Sequence, residues 1–389
     1  MNRFCSLFSQ ILKLFPRTEF ERLVKQTGAQ RHARGVTSWE QFVAMLFCQL
    51  GRAHSLREIS SGLKTCEGKL AHLGIEALPK SSLAYANAHR PWALYQQLFF
   101  ALLARCQTGA APRKSKKFRF KNPLVSLDST TIDLCLSLYD WAHYRRTKGA
   151  IKLHLVLDHE GYLPCFGVIT DGKSADVTVA HTLKFEPGTV VVDDRGYDDS
   201  ELFAKWTRQG VYFVTRMKVS TIFAVTAEHP VPQEGLILKD QTIQLTGIGA
   251  PIRCPYPLRR VEVWNPEKQE TLVFLTNHFK FAPSTIAAIY KDRWQVELFF
   301  KALKQNLKIK TFVGTSANAV KTQVWTALIA ILLLRYLQLK SSFAWSLSNL
   351  VALLRMNLFT HRDLWPWLNA PFGTPPDGEP MPQQNLALA

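Results

Sequence analysis

Leu124-Val-Ser-Leu-Asp128-Ser-Thr-Thr-Ile-Asp-Leu134 is where this chain changes period. Before it the apolar residues recur at helical spacing. From it onward come short β-rich runs: this one, then Ala150-Ile-Lys-Leu-His-Leu-Val-Leu-Asp158, then Tyr162-Leu-Pro-Cys-Phe-Gly-Val-Ile-Thr170. Asp158 to Gly161 and Asp171-Gly172 supply turn residues between and after them, so the three strands are predicted to form an antiparallel meander. A helix is expected over 175–183, a strand over 189–192 ending at Asp193-Asp194, a helix over 200–209 and a strand over 211–215. That order of strands and helices predicts a mixed α/β sheet.

Residues 218–277 interrupt the order with further short strands (TIQLTGI, RRVEVW, TLVFLT) and read as a β-rich insertion. A helix then starts near Ser284 and runs through Tyr290, Glu297 and Lys304. Upstream, Ser38-x-x-Gln41 and Ser55-x-x-Glu58 read as capping boxes opening two helices separated by Gly51, the pattern of a helix-turn-helix. A third helix is expected over 81–90, stopped by Pro91, and a fourth over 92–106. The domains expected are a basic helical DNA-binding region 1–121, the first part of the core 122–217, the insertion 218–277, a core helix segment 278–316, a helical region 317–369, and a Pro/Gly/Gln-rich tail 370–389 that reads as disordered.

The chain has 389 residues and a net charge of +18. Its first 121 residues hold 20 Lys and Arg against 6 Glu and no Asp, so +14 of the +18 lies there. A basic balance of this size favours a polyanionic partner. Part of it is the connection Thr108 to Lys121, where Arg113, Lys114, Lys116 and Lys117 precede Phe118 and Phe120; it reads as a boundary that also touches phosphate. The seven cysteines form no C-x-x-C pair, so neither a disulfide framework nor a zinc site is indicated. The most apolar run, Val324 to Leu339, carries Arg335 and is short for a membrane span; a buried core helix is expected. With no secretion signal read at the N-terminus, a cytoplasmic, nucleoid-associated location is expected, with no membrane partner.

Cutting a phosphodiester with two divalent ions needs several carboxylates converging from different elements, because hard cations take oxygen ligands and the ions sit roughly 3.5 to 4 Å apart. Asp128 follows the apolar run 124–127, Asp194 closes the run Val190 to Val192, and Glu297 lies on the later helix. Asp193 competes with Asp194, although side chains alternate along a strand. Asp133 and Asp140 lie beyond the first motif and read as structural, Asp158, Asp171 and Asp176 read as capping residues at turns, and His143 and His154 as sheet histidines. On one continuous helix Tyr290, Arg293, Glu297, Lys301 and Lys304 fall at steps of three and four and share a face, with Val296, Phe299, Phe300 and Leu303 left for packing. The bland alternative is a solvated, salt-bridged face.

Tyr290-Lys-Asp-Arg293-Trp-Gln-Val-Glu297-Leu-Phe-Phe-Lys-Ala-Leu-Lys304 matches Y-x(2)-R-x(3)-E-x(6)-K in all four positions. With Asp194-Arg-Gly-Tyr197 and Leu127-Asp128-Ser-Thr-Thr131, the chain resembles the insertion-sequence DDE transposases over about residues 123–315. The resemblance implies a ribonuclease H-like mixed sheet and a catalytic and metal-binding triad of Asp128, Asp194 and Glu297. It also implies two Mg2+ ions, with Mn2+ able to substitute, and cut-and-paste transposition of DNA. It implies a homodimer acting on paired ends, reading terminal inverted repeats and joining them to target DNA. DNA contacts are expected from Tyr290, Arg293, Trp294, Lys301 and Lys304, from Arg216 and Lys218, and from the basic connection. Trp264 or Phe274 is the candidate to stack on a displaced base. Two rivals share these residues: a stand-alone nuclease of the same fold, and a catalytically silent DNA-binding descendant.

Overall fold

The computed structural model describes residues 5–31, 33, 35–109, 117–135, 137–139, 141–145, 148–231, 235–309 and 311–373. Arg113, Lys114, Lys116, Asp140 and all of the tail beyond 373 therefore lie outside the described residues.

The N-terminal third is helical. Helix α1 (Ser38–Gly51) begins one residue earlier than the sequence pattern suggested: Thr37 is the N-cap and forms the capping box with Glu40, the side chain of each bonding the other's backbone N–H. Helix α2 (Leu56–Thr65) is capped by Ser55, which accepts from Glu58 N at 3.1 Å. The turn between them is made by Arg52 in the left-handed region, φ 57°, rather than by Gly51. Helix α3 (Ala93–Gly109) follows.

The sheet has ten strands: β1 (Leu124–Leu134), β2 (His143–Arg145), β3 (Lys148–Asp158), β4 (Pro164–Asp171), β5 (Val190–Val192), β6 (Tyr212–Arg216), β7 (Phe223–Glu228), β8 (Ile237–Leu245), β9 (Leu258–Asn265) and β10 (Glu270–Thr276). The meander is present, with β3 antiparallel to both β1 and β4. On the other side of β1, β5 and β6 run parallel to it. The core order β4-β3-β1-β5-β6 is that of a ribonuclease H-like sheet. The insertion extends this sheet: β10 pairs antiparallel with β6, and β9, β8 and β7 follow outward.

Strand alternation decides which helix each residue meets. Leu124, Val190, Val192 and Val214 face Ile286 and Ile289 of helix α6 (Pro283–Asp292). Their sequence neighbours Val125, Val191 and Phe213 face the opposite side, where helices α4 (Asp176–Thr182) and α5 (Ser200–Arg208) supply Ala180, Leu202, Phe203 and Trp206. Helix α7 (Trp294–Asn306) continues past α6, and Phe299 and Leu303 join the cluster that holds Leu153 and Leu155 of β3.

Helix α8 (Ala317–Lys340) is long and apolar enough to cross a membrane, yet 83% of its most apolar window is buried inside the protein. It is the buried core helix that the sequence suggested. Its Trp325 lies 5.4 Å from the Phe99 ring of α3 and packs over Gly167 of β4, so the N-terminal helices, α8 and the near face of the sheet share one hydrophobic cluster.

Candidate active site

Ser126 of β1 stands opposite Val192 of β5 in the parallel register. Two residues further along, on the same face of the sheet, come Asp128 and Asp194, so the two acids emerge side by side from adjacent strands. Alternation sends Asp193 the other way. It is fully buried, neither carboxylate oxygen has a well-formed hydrogen-bond partner, and burial raises it well above the ordinary carboxylate range. Asp193 is not among the residues that line the cleft beside Asp128 and Asp194.

Glu297 arrives from α7. With Asp128 and Asp194 it lines a cleft of about 510 Å³, together with Ser129, Thr130, Arg293, Phe300, Lys301, Lys304 and Gln305. Three carboxylates and three cations thus share one wall. Burial, reinforced by the charges of Asp194 and Glu297 and opposed by Arg293, pushes Asp128 up to about 7. Arg293 sits between two of the acids, its Nη1 3.2 Å from Asp128 Oδ2 and its Nη2 2.6 Å from Glu297 Oε1. Its own proton is held more tightly in return: burial alone would loosen it, but Tyr290, Asp128 and Glu297 outweigh burial.

These residues fit a divalent cation. Their donors are carboxylate oxygens, the ligand set hard ions take, and the guanidinium already occupies a place where two acids need positive charge. The three acids face one cleft without closing on a point: among the described residues no three His, Cys, Asp or Glu side chains are gathered tightly enough to hold an ion as they stand.

Asp194 is held from its own loop, where Gly196 N donates to Asp194 Oδ1 at 2.7 Å. A Cβ at Gly196 would come within 2.9 Å of that oxygen, which gives the glycine of Asp194-Arg-Gly-Tyr197 a physical reason. Gly196→Ala is expected to displace the Asp194 carboxylate and slow DNA cleavage about tenfold or more at saturating metal, with the melting temperature little changed; single-turnover cleavage kinetics check it. Asp176, read as a capping residue, stands just behind the site. It accepts from Ser129 Oγ at 2.7 Å and from Lys152 Nζ at 3.2 Å, links that span the meander and carried no signal in the sequence.

The stripe expected on a single helix is broken. Helix α6 ends at Asp292 and α7 begins at Trp294, with Arg293 as a one-residue turn between them. Arg293, Glu297, Lys301 and Lys304 still line the cleft, but Tyr290 does not. It packs on Phe274 with ring centroids 4.8 Å apart and carries the Arg293 guanidinium over its ring. Lys301 is exposed, and Lys304 donates to Thr131 O at 2.9 Å. Trp294 is 55% exposed. Arg216 pairs with Glu270 at 3.2 Å, and Lys218 donates to Asp198 O at 2.8 Å. Lys117 is ion-paired with the buried Asp292. Of the two stacking candidates, Phe274 is 1% exposed in the sheet core and can reach no base, whereas Trp264 is 37% exposed.

The family described as the transposase DDE domain matches residues 119–333, more than half of the chain. The chain belongs to the DDE transposase family. Residues 5–76 match a second family, described as a domain of unknown function (DUF4372). A Sinorhizobium fredii protein named as a transposase, y4zB, is 33% identical over 72% of this transposase and 78% of its own length. A Geobacillus stearothermophilus protein named as the transposase of insertion sequence element IS5377 is 28% identical, over 87% and 86%. A solved structure titled as a piggyBac transposase synaptic complex with hairpin DNA matches 92% of this chain and 81% of its own at a TM-score of 0.47 and 9% identity. The activity of this chain is therefore DNA transposition, its partner is DNA, and its family uses divalent metal ions.

Proposed function

We propose that this transposase mobilises an insertion sequence: it binds the terminal inverted repeats, cuts the DNA at the element's ends and joins the freed 3'-ends to target DNA. The observation that supports it most is the convergence of Asp128, Asp194 and Glu297 on one cleft from β1, β5 and α7. These three would hold two Mg2+ ions, with Mn2+ able to substitute. When bound, the ions activate the attacking oxygen and stabilise the leaving oxygen of an in-line displacement.

The chain's own residues do the rest. Arg293, which bridges Asp128 and Glu297, would set its guanidinium against the charge of the scissile phosphate. Lys301 and Lys304, one and two turns beyond Glu297, receive the flanking phosphates, and Trp294 and Trp264 offer exposed rings to unstacked bases. Arg216, Lys218 and the basic connection hold DNA farther from the cut, while the basic N-terminal helices read the repeats. Two protomers act together on paired ends, at the nucleoid in the cytoplasm.

The test uses the full chain, Mg2+ and a duplex ending in the inverted repeat that flanks its coding region. Cleavage at the repeat boundary followed by joining to a plasmid is expected. Cleavage without joining would point instead to a stand-alone nuclease, and binding without cleavage to a silent descendant.

A further inference from the structure

Behind the cleft lies a second polar constellation that the metal chemistry does not use. Asp292 is 2% exposed. One of its oxygens lies 2.5 Å from His159 Nδ1 and 3.2 Å from the Tyr162 hydroxyl, and the other meets the Lys117 ammonium. His159 Nε2 is in turn 2.6 Å from Ser126 Oγ. An ionised carboxylate can only accept, so His159 donates from Nδ1 to Asp292, and its Nε2 shares a hydrogen bond with the Ser126 hydroxyl. Burial alone would raise Asp292, but the bonds from His159 and Lys117 outweigh it and hold the acid below the usual carboxylate range.

Serine, histidine and carboxylate in this order resemble the relay of an acyl hydrolase. That reading fails on access: Ser126 is fully buried within β1 and His159 is 9% exposed, so no acyl group can reach the hydroxyl. Stability alone is a poor reason for the network too, since apolar residues of the same volume commonly serve a buried site as well or better. What the network does have is placement. Ser126 is two residues before Asp128 on the same strand face. Asp292 immediately precedes Arg293, at the break between α6 and α7. His159 and Tyr162 come from the β3–β4 turn, and Lys117 from the basic connection.

We propose that Asp292 is a positioning residue for transposition. Clamped by His159, Tyr162 and Lys117, it fixes the α6–α7 break so that Arg293 and Glu297 meet Asp128. Lys117 thereby couples the basic connection to the geometry of the cleft. This rests on the reading of Asp128, Asp194 and Glu297 as the metal-holding acids, and it makes Asp292 a determinant of metal affinity that touches neither metal nor DNA.

The test is a Mn2+ titration of the full, DNA-free chain by calorimetry, run beside repeat binding and Mg2+-dependent cleavage. Asp292→Asn keeps the shape and removes the charge. It is expected to weaken Mn2+ binding about tenfold and to raise the Mg2+ needed for half-maximal cleavage by a similar factor, with repeat affinity within twofold. Lys117→Met removes the latch, from a side chain that is 56% exposed, together with the DNA contact of the basic connection, so it is read on the DNA-free chain: Mn2+ binding is expected to weaken about threefold, and Lys117→Arg is expected to restore it. Should Asp292→Asn fail to fold, Lys117→Met decides alone. Wild-type Mn2+ binding in folded Lys117→Met and Asp292→Asn overturns the proposal. Wild-type Mn2+ binding in Glu297→Gln would overturn the ligand assignment instead, whatever the Asp292 variants do.

Discussion

Asp128→Asn, Asp194→Asn and Glu297→Gln, made one at a time, are each expected to lower the rate of DNA end cleavage by about a thousandfold or more, about 4 kcal/mol of barrier. The amide keeps the volume and removes the charge that holds a cation against its neighbours, and among the described residues lining the cleft no fourth carboxylate stands in for it. Folding should tolerate the changes. The Glu297 side chain is 35% exposed, and burial already pushes the Asp128 carboxyl up toward its uncharged form. Repeat binding should stay within a few-fold, because phosphate neutralisation rests on lysines and arginines. Asp193→Asn is the discriminating control: it replaces a buried acid that lies outside the cleft lining by an amide of the same shape, and cleavage within about threefold of wild type is expected. Single-turnover cleavage of the end duplex measures all four variants. A collapse in Asp193→Asn with activity retained in Asp194→Asn would reverse the assignment of the second acid.

That control draws on the part of the site that was legible early. Period-two alternation together with the Arg195-Gly-Tyr197 context separates Asp193 from Asp194 in the sequence, whereas the parallel register that carries Asp128 to Asp194's side is seen only in the fold. The meander was legible for a similar reason, since turn residues at 158–161 and 171–172 join strands close in sequence. Strand partnership across long separations was not. The insertion's strands show in their composition, but nothing local in Phe274 announces that it will pair with Arg216 and continue the main sheet.

The break at Arg293 was equally silent. Tyr290-Lys-Asp-Arg-Trp contains no proline or glycine, so local propensity favours one continuous helix. What ends α6 there is tertiary: Asp292 is drawn to His159, Tyr162 and Lys117, and Arg293 to Asp128. Tyr290 stays beside Arg293, and its ring packs on Phe274 instead of lining the cleft. Lys117 is a comparable case, because a lysine in a basic connection reads as solvated or phosphate-bound until its partner, 175 residues away, is seen.

The largest stability effect is expected at a buried pair in the insertion. Arg259 grips Asp240 with two bonds, Nε to Oδ1 at 2.8 Å and Nη2 to Oδ2 at 2.6 Å, and both side chains are almost fully buried. The remaining nitrogen donates to the carbonyls of Phe281, His278 and Phe279, at 2.6, 3.2 and 3.3 Å. The pair therefore ties β8 and β9 to the segment that leads into α6. Arg259→Met removes the cation and leaves a buried carboxylate and three carbonyls without their donor, and breaking one side of such a pair costs about 3–5 kcal/mol. Asp240→Leu leaves the guanidinium uncompensated but keeps its three carbonyl acceptors, so its cost should fall at the low end of that range. The double variant Asp240→Leu/Arg259→Met removes both charges, and it should recover the part of the loss in Arg259→Met that comes from the uncompensated carboxylate. Recovery should stop short of wild type because the carbonyls of residues 278, 279 and 281 stay unpaired, each at a cost of about 1–3 kcal/mol if no water reaches them. Urea unfolding followed by tryptophan fluorescence reads the three midpoints. A loss below about 1 kcal/mol in Arg259→Met would mean that water reaches the pair, and strict additivity in the double variant would mean that the two side chains are not coupled.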